Sequence, residues 1–256
     1  MSNRIDQLFA SKKTGILNIY CTAGFPELND TLPVMTALQQ HGADLIELGM
    51  PFSDPLADGP VIQESSTRAI KNGMGLRVLF EQLKDFRKTI SVPVILMGYL
   101  NPVLLYGIEA FCQKCAEVGV DGLILPDLPM DEYENEYKAI FEHYGLHLIF
   151  LVTPETSEAR IRKIDSLSKG FIYAVSSSST TGTDKNMGHQ QAYFEKLEKL
   201  QLKNPVLIGF GVKDKATFAA ACAHSNGAII GTAFIRAIEN ATNIDTAVKD
   251  FISSVK

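Results

Sequence analysis

The chain lacks the features that mark membrane proteins, secreted proteins and nucleic-acid-binding proteins. No apolar run in its 256 residues approaches the roughly 20 residues that a membrane-spanning helix requires. The segment from Met1 to Thr14 is too polar for a signal peptide. The net charge is −5, the pI is near 5.6 and no basic patch occurs, which argues against nucleic acid as the main partner. We therefore expect a cytoplasmic protein that binds neither membranes nor nucleic acid.

Cysteine is also scarce, and its spacing does not suit a metal site. The chain has four cysteines. Cys112 and Cys115 form the only close pair, and no second pair of cysteines or histidines follows at the spacing of a zinc site. The other two, Cys21 and Cys222, lie in apolar or helical contexts. We expect four reduced cysteines, as in a cytosolic protein, and no bound metal.

Short apolar runs alternate with helical patterns along the whole chain. Apolar runs without polar alternation are typical of parallel strands that are buried on both faces. Eight βα units in about 250 residues predict a (β/α)8 TIM barrel of the α/β class, formed by a single domain, 1–256. A helical pattern at Arg4–Lys12 predicts an extra N-terminal helix. An open doubly wound sheet is the alternative, but no G-x-G-x-x-G follows the first strand. The predicted strands are Gly15–Cys21, Ala43–Leu48, Val92–Met97, Asp121–Leu125, His147–Val152, Gly170–Val175, Asn204–Ile208 and Asn226–Ile230.

Two carboxylates stand at the end of the second predicted strand and in the loop that follows it. Glu47 lies in an apolar run, where burial would raise its pKa and prepare it to exchange protons near neutral pH. Asp58 lies in a loop that Pro51, Pro55 and Pro60 restrict, because proline fixes φ. The alternative is that Glu47 is a solvated strand end and Asp58 a turn former.

Glycines after the seventh and eighth strands suggest a phosphate site. Gly209 and Gly211 follow one strand, and Gly231 follows the other, each just before a helical pattern. Glycine lets backbone N–H groups approach an anion, and TIM barrels often bind phosphate in these two loops. The same glycines would also suit plain tight turns. Thr180, Thr181 and Gly182, after strand six, are a weaker third element.

The residue types missing from the predicted strand ends argue against two kinds of aldolase. A Schiff-base aldolase needs a lysine at the barrel mouth, and a metal-dependent aldolase needs histidine ligands there. None of the predicted strands carries either residue near its carboxyl end. These absences leave acid–base chemistry by carboxylates, on a substrate that is bound through its phosphate.

The segment from Leu45 to Pro60 resembles the signature of the tryptophan synthase α-subunit family. Further segments agree in order, and together they cover essentially the whole chain: Thr22–Pro26, Met97–Pro102, Gly119–Gly122, Pro126–Pro129, Thr181–Gly182, Gly209–Gly211 and Gly231–Ala233. The resemblance implies retro-aldol cleavage of indole-3-glycerol phosphate to indole and glyceraldehyde 3-phosphate, within tryptophan biosynthesis. It also implies that no cofactor is needed in this chain.

The resemblance assigns roles to individual residues. Glu47 and Asp58 would be the catalytic pair, with Glu47 protonating the indole ring and Asp58 stabilising the ring N–H. Tyr20, Tyr99, Ile124 and Tyr173 would line the pocket for indole and glycerol. The phosphate would be held by Gly182, Phe210, Gly211, Gly231 and Thr232, and Thr181 and Gly209 would also bind the substrate. The chain departs from the family pattern at Ser179, where glycine is usual, and we expect a serine there to stiffen the loop after strand six and change its closing rate. It also departs at Thr232, where serine is commoner.

The resemblance further implies a β subunit that carries pyridoxal phosphate, in an α2β2 complex. The matching docking positions are Asp54, Pro55, Asn101, Pro102, Asp127 and Pro129. A free-standing indole-releasing lyase, or another phosphosugar barrel such as an isomerase, is one alternative. A non-catalytic module that activates its partner is another, and the presence of both Glu47 and Asp58 argues against it.

Overall fold

The computed structural model describes residues 3–175, 187–209 and 211–256, with the side chains of 187–191 excepted. Within these residues, parallel strands form one curled sheet in the order β5-β4-β3-β2-β1-β9-β8-β7-β6. The strands are β1 (Ile16–Thr22), β2 (Leu45–Gly49), β3 (Val94–Met97), β4 (Gly122–Ile124), β5 (His147–Leu148), β6 (Leu151–Val152), β7 (Ile172–Val175), β8 (Val206–Gly209) and β9 (Gly227–Ile230).

The sheet closes on itself at the fifth predicted strand, which is split into β5 and β6. β5 pairs with β4, and β6 pairs with β7. The two residues between them continue the ladder: the Ile149 N–H donates to the Leu123 carbonyl, and the Tyr173 N–H donates to the Phe150 carbonyl, both at 3.0 Å. The predicted α/β TIM barrel is confirmed, and each of its eight predicted strands is present.

Helices surround the sheet in the order expected of repeated βα units. Short 3-10 turns precede α2 and follow α4, and a π-helical turn, Tyr133–Tyr137, separates α7 from α8. The helices are α1 (Arg4–Ser11), α2 (Thr31–His41), α3 (Pro60–Lys71), α4 (Leu76–Gln82), α5 (Leu100–Tyr106), α6 (Ile108–Val118), α7 (Met130–Glu132), α8 (Lys138–His143), α9 (Glu158–Leu167), α10 (Met187–Lys199), α11 (Lys215–Cys222), α12 (Thr232–Ile238) and α13 (Ile244–Val255).

The helix α5 was not predicted from the sequence. Its Asn-Pro pair reads as a turn, but Pro102 falls in the first helical turn, where the missing N–H costs nothing. Both carboxylate oxygens of Asp127 accept the Leu100 N–H, at 2.9 and 3.0 Å. The capping residue belongs to the loop after β4, so the sequence around α5 does not predict the cap.

The predicted N-terminal helix is present as α1, and it closes the amino end of the barrel. Its Ile5 and Phe9 pack with Ile16, Leu45 and other inward-facing strand residues in one buried cluster. Asp121, just before β4, is 3% exposed and pairs with Arg87 and with Arg4, the latter at 2.9 Å. With the amino end sealed, the carboxyl ends of the strands remain as the open mouth.

The four cysteines are free thiols; Cys21, Cys112 and Cys115 are buried and Cys222 is partly exposed. In the part of the chain that the structure describes, none of the helices combines the length and apolar character needed to cross a membrane. Those same residues form no group of three or more His, Cys, Asp or Glu side chains that could hold a metal ion.

Candidate active site at the carboxyl ends of the strands

Alternation along the first two strands places polar side chains inside an otherwise apolar barrel. Side chains two apart share a face of a strand, so Ile16, Asn18 and Tyr20 of β1 face the same way. In the β1–β2 register Tyr20 lies opposite Glu47, one step closer to the mouth than Asn18, which lies opposite Leu45. Glu47 is therefore presented just above the apolar floor of the barrel, and it is 0% exposed.

Burial makes Glu47 a weak acid. Loss of solvation raises its pKa to about 8, because burial disfavours the charged form. The Nδ2 group of Asn18 opposes this shift by donating to Glu47 Oε2 at 3.0 Å, whereas the nearby charge of Asp58 adds to it. The other carboxyl oxygen, Oε1, is buried without a hydrogen-bond partner. The raised pKa expected from the apolar run is confirmed in direction.

Asp58 lies in the loop after β2 and is half-buried. Burial raises its pKa, and a hydrogen bond from the Tyr99 hydroxyl to Asp58 Oδ2, at 3.2 Å, works in the opposite direction. The loop is folded on itself, since the Asp58 N–H donates to the Pro55 carbonyl at 3.0 Å. The two carboxylates thus occupy different environments, which is how a pair of acids acquires different roles.

Two tyrosines lie flat against glycines at the strand ends. A Cβ on Gly49 would overlap the Tyr20 hydroxyl, and a Cβ on Gly209 would overlap the Tyr173 ring. Each glycine therefore provides the space that its tyrosine occupies. Burial, as the largest cause, raises the pKa of both tyrosines well above the usual value. Both phenols are neutral at ordinary pH.

Two adjoining cavities open at this mouth. The larger, of about 540 Å³, is bordered by both carboxylates and, on the opposite side, by the loops after β8 and β9. The smaller, of about 190 Å³, has a largely apolar lining that includes Met50, Phe52 and Leu151. Residues common to both cavities are Tyr20, Asp58, Gly59, Met97 and Tyr173.

The structure brings most of the expected site residues together. The larger cavity is bordered by Tyr20, Glu47, Asp58, Tyr173, Gly209, Gly211, Gly231 and Thr232. Tyr99 borders the smaller one. Ile124 does not reach either cavity as the described residues form them; it is 0% exposed and packs in the inner apolar cluster. Thr181, Gly182 and Phe210, together with Ser179, lie outside the described residues.

The positions expected to dock a partner differ in exposure. Asp54, Asn101, Asp127 and Pro129 are exposed, and Pro102 is half-buried. Pro55 is buried and borders the smaller cavity. Asp127 already caps α5, so part of its role is structural.

Sequence reasoning missed several residues at the mouth. Asn18 carried a usable signal, because an amide inside an apolar strand needs a partner. Lys213 and Arg236 border the larger cavity and add positive charge to it. Phe52 packs on Tyr99 with ring centroids 5.1 Å apart. Their positions depend on how separate loops meet, which spacing alone does not reveal.

Two carboxylates in different environments lie at the open end of a closed parallel barrel, an arrangement typical of acid–base enzymes of the (β/α)8 class. Comparison with known proteins agrees. A profile of the family described as Tryptophan synthase alpha chain matches residues 6–256. The chain belongs to the tryptophan synthase alpha chain family.

Individual relatives match along nearly the full length. The tryptophan synthase alpha chain of Flavobacterium johnsoniae is 53% identical over 255 residues, covering 99% of this chain and 100% of that protein. That of Bacteroides thetaiotaomicron is 50% identical, with the same coverage. A crystal structure of the alpha chain from Legionella pneumophila superimposes with a TM-score of 0.89 at 34% identity, covering 99% and 96% of the two chains.

Family membership fixes the reaction. The chain is a lyase of tryptophan biosynthesis that cleaves indole-3-glycerol phosphate. In this family pyridoxal phosphate belongs to the β subunit, and the alpha chain has no cofactor of its own.

Proposed function

We propose that Glu47 and Asp58 perform the acid–base chemistry of this cleavage, with Glu47 as the proton donor. The observation that carries the proposal is the pKa of Glu47, which burial raises to about 8. At neutral pH Glu47 is then uncharged in most molecules, with a proton to give, and it borders a cavity large enough for a small-molecule substrate. Catalytic acids are commonly tuned toward the working pH in this way.

The proton transfers balance with these two side chains. Glu47 protonates C3 of the indole ring, which turns the ring into a cationic electron sink. The bond between C3 and the glycerol carbon then breaks, and its electrons return to the ring. The hydroxyl on that carbon gives its proton back to the Glu47 carboxylate and becomes the aldehyde of glyceraldehyde 3-phosphate. Asp58, as a carboxylate, stabilises the ring N–H while it is acidic.

The two cavities suit the two ends of this substrate. The smaller, apolar cavity beside Tyr99 and Leu151 fits the indole ring. We place the phosphate in the larger cavity. Gly211 and Gly231 border it and have no side chain to block an anion, and Lys213 and Arg236 supply positive charge. The glycerol chain then crosses between Tyr20 and Tyr173, past both carboxylates.

We also propose a β-subunit partner, in an α2β2 assembly. A crystal structure of tryptophan synthase from M. tuberculosis contains a chain that matches this one with a TM-score of 0.86 at 28% identity. The proposed docking face also carries exposed apolar side chains: Leu56 is 89% exposed, Leu104 46% and Leu105 82%. Exposed apolar side chains grouped near Asp54 and Asn101 are what a docking surface needs. A single domain, 1–256, and a cytoplasmic location complete the proposal.

The test is turnover of indole-3-glycerol phosphate by the purified chain, alone and then with a β subunit added. Glu47→Gln keeps the shape of the side chain but removes its proton, so it is expected to abolish indole release while the protein stays folded. Asp58→Asn is expected to lose most activity under both conditions. The matched control is Glu64→Gln, which makes the same change at an exposed position on α3. Full activity in Glu47→Gln would exclude the proposed donor.

A further inference from the structure

The amide of Asn18 donates a hydrogen bond to the proposed proton donor. Asn18 is 0% exposed, and its Nδ2 group donates to Glu47 Oε2 at 3.0 Å. Two further oxygens of the pair, Asn18 Oδ1 and Glu47 Oε1, are buried with no hydrogen-bond partner. An amide whose oxygen is left unpaired in an apolar interior is costly, so its presence there calls for a reason beyond packing.

The position of the amide makes the two carboxyl oxygens different. Asn18 lies opposite Leu45 in the strand register, one inward-facing step below the level of Tyr20 and Glu47. It therefore reaches Glu47 from the closed side of the barrel, while the larger cavity lies on the open side. Because Oε2 accepts an N–H, the acidic proton of Glu47 resides on Oε1.

Other groups around Glu47 do not supply this contact. Tyr20 and Cys21 of β1 and Tyr173 of β7 have pKa values that burial raises, so they are neutral. Asp58, in the loop after β2, acts on Glu47 only through its charge and disfavours the ionised form. On β3, the residue paired with Glu47 is Ile95, which is apolar. Asn18 is the neighbour that favours ionised Glu47 and fixes its orientation.

We propose that Asn18 is a positioning residue for the cleavage reaction: it holds Oε2 of Glu47 so that Oε1 faces the substrate. The inference rests on the proposed role of Glu47 as proton donor. Asn18 does not touch the reacting atoms. It limits Glu47 to one productive arrangement and helps to stabilise the carboxylate that remains after the proton has left. Misplacement of a catalytic group by about 1 Å can reduce a rate by about two orders of magnitude.

The test compares substitutions at Asn18 in the full-length chain with a β subunit present. Asn18→Leu removes the donor while keeping the side chain's branched shape. Asn18→Ser keeps a smaller donor and serves as the rescue variant, as well as the fallback where Asn18→Leu does not fold. Cys21→Ala is the matched control, since Cys21 is also buried on β1 but makes no hydrogen bond to Glu47. Thermal unfolding establishes that each variant is folded before kcat and KM are measured across pH.

We expect Asn18→Leu to lower kcat about tenfold or more, the effect of losing one hydrogen bond to an ionised group, with KM within about twofold of wild type. The alkaline limb of the kcat profile should move to higher pH, because the donor that favours ionised Glu47 is gone. Asn18→Ser should recover part of both effects, and Cys21→Ala should show neither.

A drop in kcat with an unmoved pH profile, or an unchanged kcat in a folded Asn18→Leu variant, overturns the inference. These outcomes are separate from failure of the proposed function. That failure appears as activity in Glu47→Gln. Failure of the positioning role alone leaves Glu47→Gln inactive, while Asn18→Leu shows either a normal kcat or an unmoved pH profile.

Discussion

The Tyr99 hydroxyl joins two parts of the site: it donates to Asp58 Oδ2 at 3.2 Å and accepts the backbone N–H of Ala57 at 3.0 Å. Tyr99 follows β3, whereas Asp58 and Ala57 belong to the loop after β2. The neighbouring strand end therefore fixes the loop that carries one of the two proposed catalytic carboxylates. Burial raises the pKa of Tyr99 to about 12, so the hydroxyl keeps its proton and remains a donor.

Replacing Tyr99 with phenylalanine should loosen Asp58 without removing it. The Phe side chain keeps the ring contact with Phe52 but loses both hydrogen bonds of the hydroxyl. We expect kcat for indole-3-glycerol phosphate cleavage to fall about tenfold, since a hydrogen bond to a charged group contributes about 1.5 to 3 kcal/mol. Steady-state kinetics of Tyr99→Phe measure this change in kcat. Tyr144→Phe is the control, because in the described part of the chain Tyr144 borders neither cavity at the mouth. Wild-type rates in Tyr99→Phe would show that the loop holds Asp58 without help.

The raised pKa of Glu47 predicts a pH-dependent stability. Its ordinary value is 4.5, and burial raises the folded-state pKa to about 8. The folded protein therefore holds this proton more tightly than the unfolded chain. Its contribution to stability is fully present below about pH 4.5 and is lost progressively as the pH rises to 8. The slope from this one group is at most about 1.4 kcal/mol per pH unit.

Glu47→Gln isolates that contribution, because glutamine does not titrate. We expect the free energy of unfolding of Glu47→Gln, relative to wild type, to rise between pH 4.5 and 8 and to level off above 8. Urea denaturation of both proteins at a series of pH values measures the difference, and Glu64→Gln supplies the baseline for an exposed glutamate. A difference that stays flat across this range would mean that Glu47 is already ionised in the folded protein at neutral pH.

The barrel and the two carboxylates could be predicted from the sequence because their signals are local. Apolar strands and strand-end loops are encoded locally, so Glu47 and Asp58 were found from their immediate neighbours in the chain. Tyr99 was found only through resemblance, and its bond to Asp58 depends on two strand ends that meet in space. The cap of α5 by Asp127 and the approach of Asn18 to Glu47 have the same origin. Contacts of this kind depend on how the closed sheet brings distant segments together, so a local sequence pattern does not predict them.

The proposed phosphate site at Gly211 can be tested by introducing a negatively charged side chain there. Gly211 has φ +60° and no heavy atom near a would-be Cβ, so the space beside it belongs to the cavity. Gly211→Asp should raise KM for indole-3-glycerol phosphate at least tenfold, through crowding and charge repulsion, and inorganic phosphate should compete with substrate in the wild type. The matched control is Gly145→Asp, which has a similar φ of +70° and equally open surroundings away from the mouth.

Because both glycines carry the same backbone strain, a KM increase confined to Gly211→Asp reports on the site and not on the strain. Equal changes in the two variants would assign the effect to folding. An unchanged KM in Gly211→Asp, with no inhibition by phosphate, would move the phosphate elsewhere.

Coupling to a β subunit should pass through the loop that joins Asp54 to Asp58. The Asp54 carbonyl accepts the Leu56 N–H at 2.9 Å, and the Pro55 carbonyl accepts the Asp58 N–H at 3.0 Å. A partner that contacts exposed Asp54 and Leu56 would therefore act on a short, internally bonded segment that ends at Asp58. Holding a catalytic charge in place increases its effect on the rate, because a preorganised group needs no rearrangement during reaction.

We expect the isolated chain to have a low basal rate that a β subunit raises, and Asp54→Ala to keep that basal rate but lose most of the stimulation. Asp58→Asn, in contrast, should lose both the basal and the stimulated rate. Wild type and the two variants are compared by steady-state rates, each alone and saturated with β subunit, and Asp85→Ala controls for loss of an exposed acidic side chain elsewhere. Because saturation removes any difference in affinity, a smaller stimulated kcat in Asp54→Ala reflects coupling itself. Stimulation equal to wild type would show that the partner acts on the site through another element, of which α5, with its exposed Leu105, is the next to test.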